Sequence, residues 1–129
     1  MLETGIKGHC TEKVTKENTA SALGSGALDV YATPAMVALM ENTAMKSVAG
    51  ELDAGMTTVG TKLDIAHTSA SPIGSTITCE SELTGIDRRR LVFRVTAYDD
   101  AGEIGSGIHE RFIVDTAKFT EKTQAKLQK

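Results

Sequence analysis

The stretch from Tyr31 to Gly50, YATPAMVALMENTAMKSVAG, constrains this chain more than any other. Thr33 stands where an N-cap belongs, and Pro34 takes the first helical position. A threonine hydroxyl accepts a bond from an orphan backbone N–H, and proline has no N–H to leave unpaired. Gly50 supplies the stop, because glycine takes the left-handed conformation past a last turn at no steric cost. Between these marks lie Ala35, Met36, Val37, Ala38, Leu39, Met40, Ala44, Met45, Val48 and Ala49, so nearly every face of the predicted helix is apolar. Such a helix belongs inside its domain, enclosed by the rest of the chain.

Glu41 breaks the pattern. At about 100° per residue it falls beside Val37, Ala44 and Val48, on the stripe that should be most buried, while Asn42 and Lys46 fall roughly opposite. An unpaired carboxylate in apolar surroundings is costly, so it finds donors or takes up a proton. Either it is a structural carboxylate bonded to backbone or to a subunit partner, or it is a catalytic one on a rigid helix.

With 129 residues the chain is expected to be one domain, residues 1–129, around a single core. A net charge of −3 and a pI near 5.6 argue against a nucleic-acid surface or a polybasic membrane surface. Cys10 and Cys79, without a CxxC, fit a reducing compartment and offer no disulfide framework. MLETGIKGHC has no apolar leader core, and no run approaches membrane-spanning length, so the expected location is cytoplasmic.

Before the helix, residues 7–17 alternate weakly and read as an edge strand. Residues 18–30, NTASALGSGALDV, read as a Gly-rich loop of a length that is more often functional than idle. After it, TTVGTKLDIAHT alternates, with Thr57, Val59, Thr61, Leu63, Ile65 and His67 on one face, and SASPIG reads as a turn. STITCESELTGI and RRRLVFRVTAYDD follow as strands, the second with Leu91, Phe93, Val95 and Ala97 inward. DDAG is a turn before the last strand, EIGSGIHERFIVD, and TAKFTEKTQAKLQK reads as a short surface helix. One apolar helix and four successive strands predict an α+β domain, an antiparallel meander wrapped on the helix. No second helix covers the sheet and its edges stay open, which predicts a homodimer.

Few residues are fit for chemistry. His67 ends a strand on the face of Leu63 and Ile65, pointing toward the helix; an inward histidine is either a satisfied core residue or a catalyst. A hydroxyl at the helix start, a carboxylate on its buried face and an inward imidazole are together three acyl-transfer groups. The helix N-terminus adds N–H groups for a developing oxyanion. His9 with Cys10, and His109 with Glu110, lack the spacing of a metal site. The GSG of IGSGIHER lies within a strand rather than in a dinucleotide-binding turn, so close backbone approach or a bulge explains its glycines. Arg88, Arg89 and Arg90 read as a solvated turn, with a nucleotide phosphate as the alternative.

The runs YATPAMVALMENTA, GTKLDIAHTSASPIG and RRLVFRVTAYDDAGEIGSGIHERFIV together resemble the fluoroacetyl-CoA thioesterase-like family of hotdog-fold proteins, from Val30 to Phe119. The resemblance implies a hotdog fold, a dimer with its active sites at the interface, and hydrolysis of an acyl-CoA thioester. It implies no cofactor beyond the coenzyme A of the substrate, and it leaves pairing of dimers into tetramers open. Thr33, Glu41 and His67 match the family's catalytic set; Gly60 and Arg111 match positions lining its substrate and CoA site. By that likeness Thr33 positions the thioester or attacks it. Glu41 acts as general base or nucleophile, and His67 protonates the departing thiolate or assists deprotonation. The loop TASALGSGALDVYA departs from the family's lid of bulky aromatics, having only Tyr31, and so points to a short or medium acyl group other than fluoroacetyl. A non-catalytic hotdog module binding acyl-CoA or a related small ligand is the alternative; a hydratase is poorer, for want of an Asp–x4–His motif.

Overall fold

Alternating apolar residues become strands and the Tyr31–Gly50 stretch becomes a helix in the computed structural model of the chain, which describes residues 1–128. In order, the elements are β1 (Lys7–Lys13), α1 (Ala20–Leu23), α2 (Thr33–Ala49), β2 (Met56–His67), β3 (Thr76–Asp87), β4 (Arg90–Tyr98), β5 (Glu103–Asp115) and α3 (Thr116–Gln124). The strands form one five-stranded sheet in the order β1-β3-β4-β5-β2, with every neighbouring pair antiparallel. This is the α+β hotdog arrangement, α2 wrapped by one antiparallel sheet. Cys10 and Cys79 stand opposite each other across β1 and β3 as free thiols.

The core lies between α2 and the concave face of the sheet. Met36, Leu39, Met40, Ala44 and Val48 meet Ile77, Leu83, Leu91, Phe93, Val95, Ala97 and Ile104 there, nearly all fully buried. Each large side chain so buried contributes on the order of 2 kcal/mol. The inward phase expected for β4 holds at Leu91, Phe93, Val95 and Ala97.

The meander expected of the last four strands holds only for β3, β4 and β5. β2 pairs with β5 instead, so the connector from His67 to Thr76 is a crossover from the β2 edge past β5 and β4 to the interior strand β3 rather than a hairpin turn. Three strand spacings span roughly 14 Å. A chain of that connector's length covers more than this when extended.

The ends of α2 also differ from expectation. The N-cap is Ala32, with no side-chain bond, and Thr33 is already helical; Gly50 is right-handed, with φ −74°. Neither end needs the residue expected to secure it. Because a single sheet packs on one side of the helix, the other side is not enclosed: Pro34, Ala38 and Ala49 are exposed, and Val37, Glu41 and Met45 are half-buried. The predicted loop before the helix is in part ordered, since Thr19 caps α1 and Ala20 N–H bonds to the Val30 carbonyl.

On β2 the expected single face is split. The register with β5 slips between Gly60 and Lys62, a bulge that adds Thr61 and reverses the alternation. Thr58 and Gly60 face the helix before the bulge, and Ile65 and His67 after it; Thr57 and Val59 turn outward.

The glycines of GSG admit the neighbouring strand. A Cβ on Gly107 would overlap the Asp64 carbonyl oxygen and lie 2.9 Å from Ile65 Cα; one on Gly105 would lie 2.7 Å from the Ala66 oxygen. Backbone cannot yield as a side-chain end does. Gly107→Ala is therefore expected to destabilise the fold by about 3 kcal/mol, read as a lower urea midpoint; an unchanged midpoint would contradict this packing.

Candidate active site

Two clusters of polar side chains flank α2. The first forms where the start of α2 meets the end of β2. Pro34 follows Thr33 and Ala32 serves as cap, so the Thr33 hydroxyl is free of capping and lies 2.7 Å from His67 Nδ1. The pair opens on a cleft of about 270 Å³, also lined by Ser25, Tyr31 and Ala70. Burial holds the His67 pKa below its ordinary 6.5, with the Ser69 backbone acting in the opposite direction, so the imidazole is neutral at neutral pH. Its Nε2 is shielded from solvent and has no hydrogen-bond partner among the described residues. Tyr31, the loop's aromatic, is not part of a lid: it is buried, and its hydroxyl bonds to the Glu12 carboxylate.

The second cluster surrounds Glu41. Its Oε2 lies 2.8 Å from where a Cβ on Gly60 would stand, and the same point is 3.3 Å from His109 Cε1 and 3.5 Å from Arg111 Nη1. Arg111 is 6% exposed. It donates from Nε to Thr58 Oγ1 at 2.7 Å and from Nη2 to the Thr58 carbonyl at 2.9 Å. Burial pulls its pKa down while Glu41 acts to raise it. His109 is fully buried, under Phe93, and burial first, with Arg111 behind it, lowers its pKa also. Gly60 and Arg111, marked in the sequence, thus stand together with Glu41 inside the protomer.

Sequence reading set His109 aside as a poor metal ligand and so missed its place here. The available signal was the inward stripe of β5, which runs Gly105, Gly107, His109, Arg111 where a core strand should be apolar. Among the described residues no group of three or more His, Cys, Asp or Glu could hold a metal ion. None of their helices is long and apolar enough to cross a membrane.

Within one protomer the two clusters are apart. Glu41 is about 12 Å from Thr33 along the helix axis, and Gly60 is about 23 Å from His67 along β2. At that separation the Glu41 carboxylate stands well away from the Thr33 and His67 side chains of its own chain.

A long helix clasped by a β1-β3-β4-β5-β2 antiparallel sheet, with polar groups along the helix flank, defines the hotdog-fold class. Within it the chain belongs to the fluoroacetyl-CoA thioesterase family, whose profile, described as fluoroacetyl-CoA-specific thioesterase, matches residues 14–117. The fluoroacetyl-CoA thioesterase of Streptantibioticus cattleyicolor is 42% identical over 98 residues, covering 76% of this chain and 70% of that protein. A solved structure of the fluoroacetyl-CoA thioesterase superposes with a TM-score of 0.91 at 34% identity, covering 98% of each chain. A Thermus thermophilus member of the thioesterase superfamily superposes at 0.87 with 27% identity, over 96% of this chain and 92% of that one. Membership places the chain among the thioester hydrolases.

Two outcomes are expected from this geometry. A methyl on Gly60 meets the mobile end of the Glu41 side chain rather than backbone. Gly60→Ala should therefore leave the urea midpoint nearly unchanged while displacing the carboxylate and lowering turnover by about 100-fold. The lowered pKa values of His67 and His109 mean that the unfolded chain binds more protons just below pH 6.5. Stability should be full above that pH and decline as pH falls from it toward the folded values, measured as urea midpoints across the range.

Proposed function

We propose that this chain, acting as a single domain, is an acyl-CoA thioesterase for a short or medium acyl group, and that its active site is completed between two copies. Thr33 and His67 come from one protomer and Glu41 from the other. The separation of the two clusters carries this reading. β2 is an edge strand with its outer side unpaired, and Gly60 to Asp64 are exposed in succession along it. A long open edge of that kind is a template for a second strand. An antiparallel second copy, with its twofold axis near Leu63 and Asp64, brings Gly60 and Glu41 of one protomer toward Thr33 and His67 of the other. The uncovered flank of α2, with Pro34, Ala38 and Met45, is then buried in the same event.

The chemistry follows from what each group offers. The Thr33 hydroxyl, tied to His67 Nδ1 at the start of α2, orients the thioester carbonyl near the positive end of the helix. Glu41 takes a proton from the attacking water, or attacks the carbonyl itself to give an anhydride that water opens. As the tetrahedral intermediate collapses, the C–S bond breaks and the coenzyme A thiolate leaves. His67, neutral in the resting site, accepts the proton that Glu41 has taken from water and hands it on to the sulfur; on the anhydride route the thiolate leaves unprotonated, and His67 takes the proton of the water that opens the anhydride. A cleft of about 270 Å³ without an exposed aromatic lid supports a small acyl group of broader chemistry than fluoroacetyl.

Thiol release from a panel of acyl-CoAs, acetyl to long chain, is expected to be high for short and medium chains and lost in Glu41→Gln and His67→Ala. Mixing those two inactive variants under exchange should restore roughly a quarter of wild-type turnover, because half of the dimers are mixed and each holds one intact site. No restoration would place the whole set in one chain. A folded dimer that binds CoA and releases no thiol from any substrate would favour a binding module.

A further inference from the structure

His109 carries two contacts that together determine its protonation. Nδ1 lies 2.9 Å from the Lys62 carbonyl oxygen, which only accepts, so Nδ1 bears the hydrogen. Nε2 lies 3.1 Å from Arg111 Nη1, and a guanidinium only donates, so Nε2 is bare. An imidazolium would set two N–H groups against each other at that second contact. The ring is thereby a neutral acceptor, and burial acts in the same direction. The Lys62 carbonyl that selects this tautomer follows directly on the bulge at Thr61.

The consequence falls on Arg111. Thr58 holds Nε and Nη2, and His109 holds Nη1, so every nitrogen of the guanidinium is anchored and its plane cannot turn. The Nη1 corner, and the His109 ring edge at Cε1, stand within 3.5 Å of the Gly60 position that the Glu41 carboxylate also approaches. Without the acceptor at His109 the Nη1 corner is free to swing, or is left buried and unpaired.

We propose that His109, in its Nδ1-protonated neutral form, is a positioning residue for thioester hydrolysis, fixing the charged Nη1 corner of Arg111 beside the Glu41 carboxylate. It touches no substrate and acts through Arg111. Its role rests on the catalytic function proposed above for Glu41.

The test compares His109→Gln, which can present an amide oxygen near the Nε2 position, with His109→Phe, which fills the space and accepts nothing. With the best substrate of the panel, His109→Phe should lower kcat about 30-fold with KM changed less than about threefold, and His109→Gln should recover most of the loss. Combined with Glu41→Gln, His109→Phe should cost nothing further, since its effect passes through that carboxylate; a merely structural role would add its own loss. Imidazole nitrogen-15 spectra of the wild-type protein should show a pyrrole-type Nδ1 and a bare Nε2. Wild-type kcat in His109→Phe beside an inactive Glu41→Gln would overturn this proposal alone. Full activity in Glu41→Gln would overturn both. Should His109→Phe fail to fold, the spectra and His109→Gln decide: an Nε2-protonated or cationic ring, or a dead His109→Gln, overturns the assignment.

Discussion

The packing of α2 against one face of one sheet governs everything else in this molecule. A helix advances about 1.5 Å per residue and a strand about 3.3 Å. Eight residues of helix therefore carry Glu41 about 12 Å from Thr33, while seven of strand carry Gly60 about 23 Å from His67. Thr33 meets His67 at one end of β2, and Glu41 meets Gly60 far along the same strand. The division of the polar groups into two clusters follows from those spacings. The sheet wraps one side of α2, so the opposite flank of α2 and the outer edge of β2 stay uncovered in the protomer.

Close approach of backbones makes this wrapping possible. Gly105 and Gly107 let β5 lie against β2 where a side chain would strike carbonyl oxygens. Gly60 does something different, since what it makes room for is the Glu41 carboxylate. The bulge beside it reverses the alternation of β2, so that Gly60 and His67, an odd number of positions apart, both face the helix. Without it one of them would point to the far side of the sheet.

Buried polar groups are a poor way to gain stability, and this protein places two of them, His109 and Arg111, at alternate inward positions of a core strand. Each is tolerable because its hydrogen bonds are complete: Thr58 and His109 take up the guanidinium, and the Lys62 carbonyl and Arg111 take up the imidazole. An apolar pair of similar volume would serve folding at least as well. What they provide is a fixed positive group next to the one carboxylate on the helix flank.

Much of this was legible in the chain. The helix, the inward phase of β4, the close-approach role of the GSG glycines and the choice of Glu41 and His67 as chemical candidates all follow from local rules of periodicity, sterics and polarity. Such rules act over a few residues and are written in the order of the side chains. They failed where the partner is distant. Thr33 looked like a cap because its intended partner, His67, is invisible to local reasoning; SASPIG looked like a hairpin turn because only the pairing of β2 with β5 reveals a crossover. The alternation of β2 concealed a bulge, and His109 looked idle until Lys62 and Arg111 stood on either side of it. Residue types and their periods are sufficient for elements and candidates, because both depend on neighbours in the chain. Which candidates meet, and which are kept apart, depends on strand order and on the rise of helix and strand, and these exist only in the folded molecule.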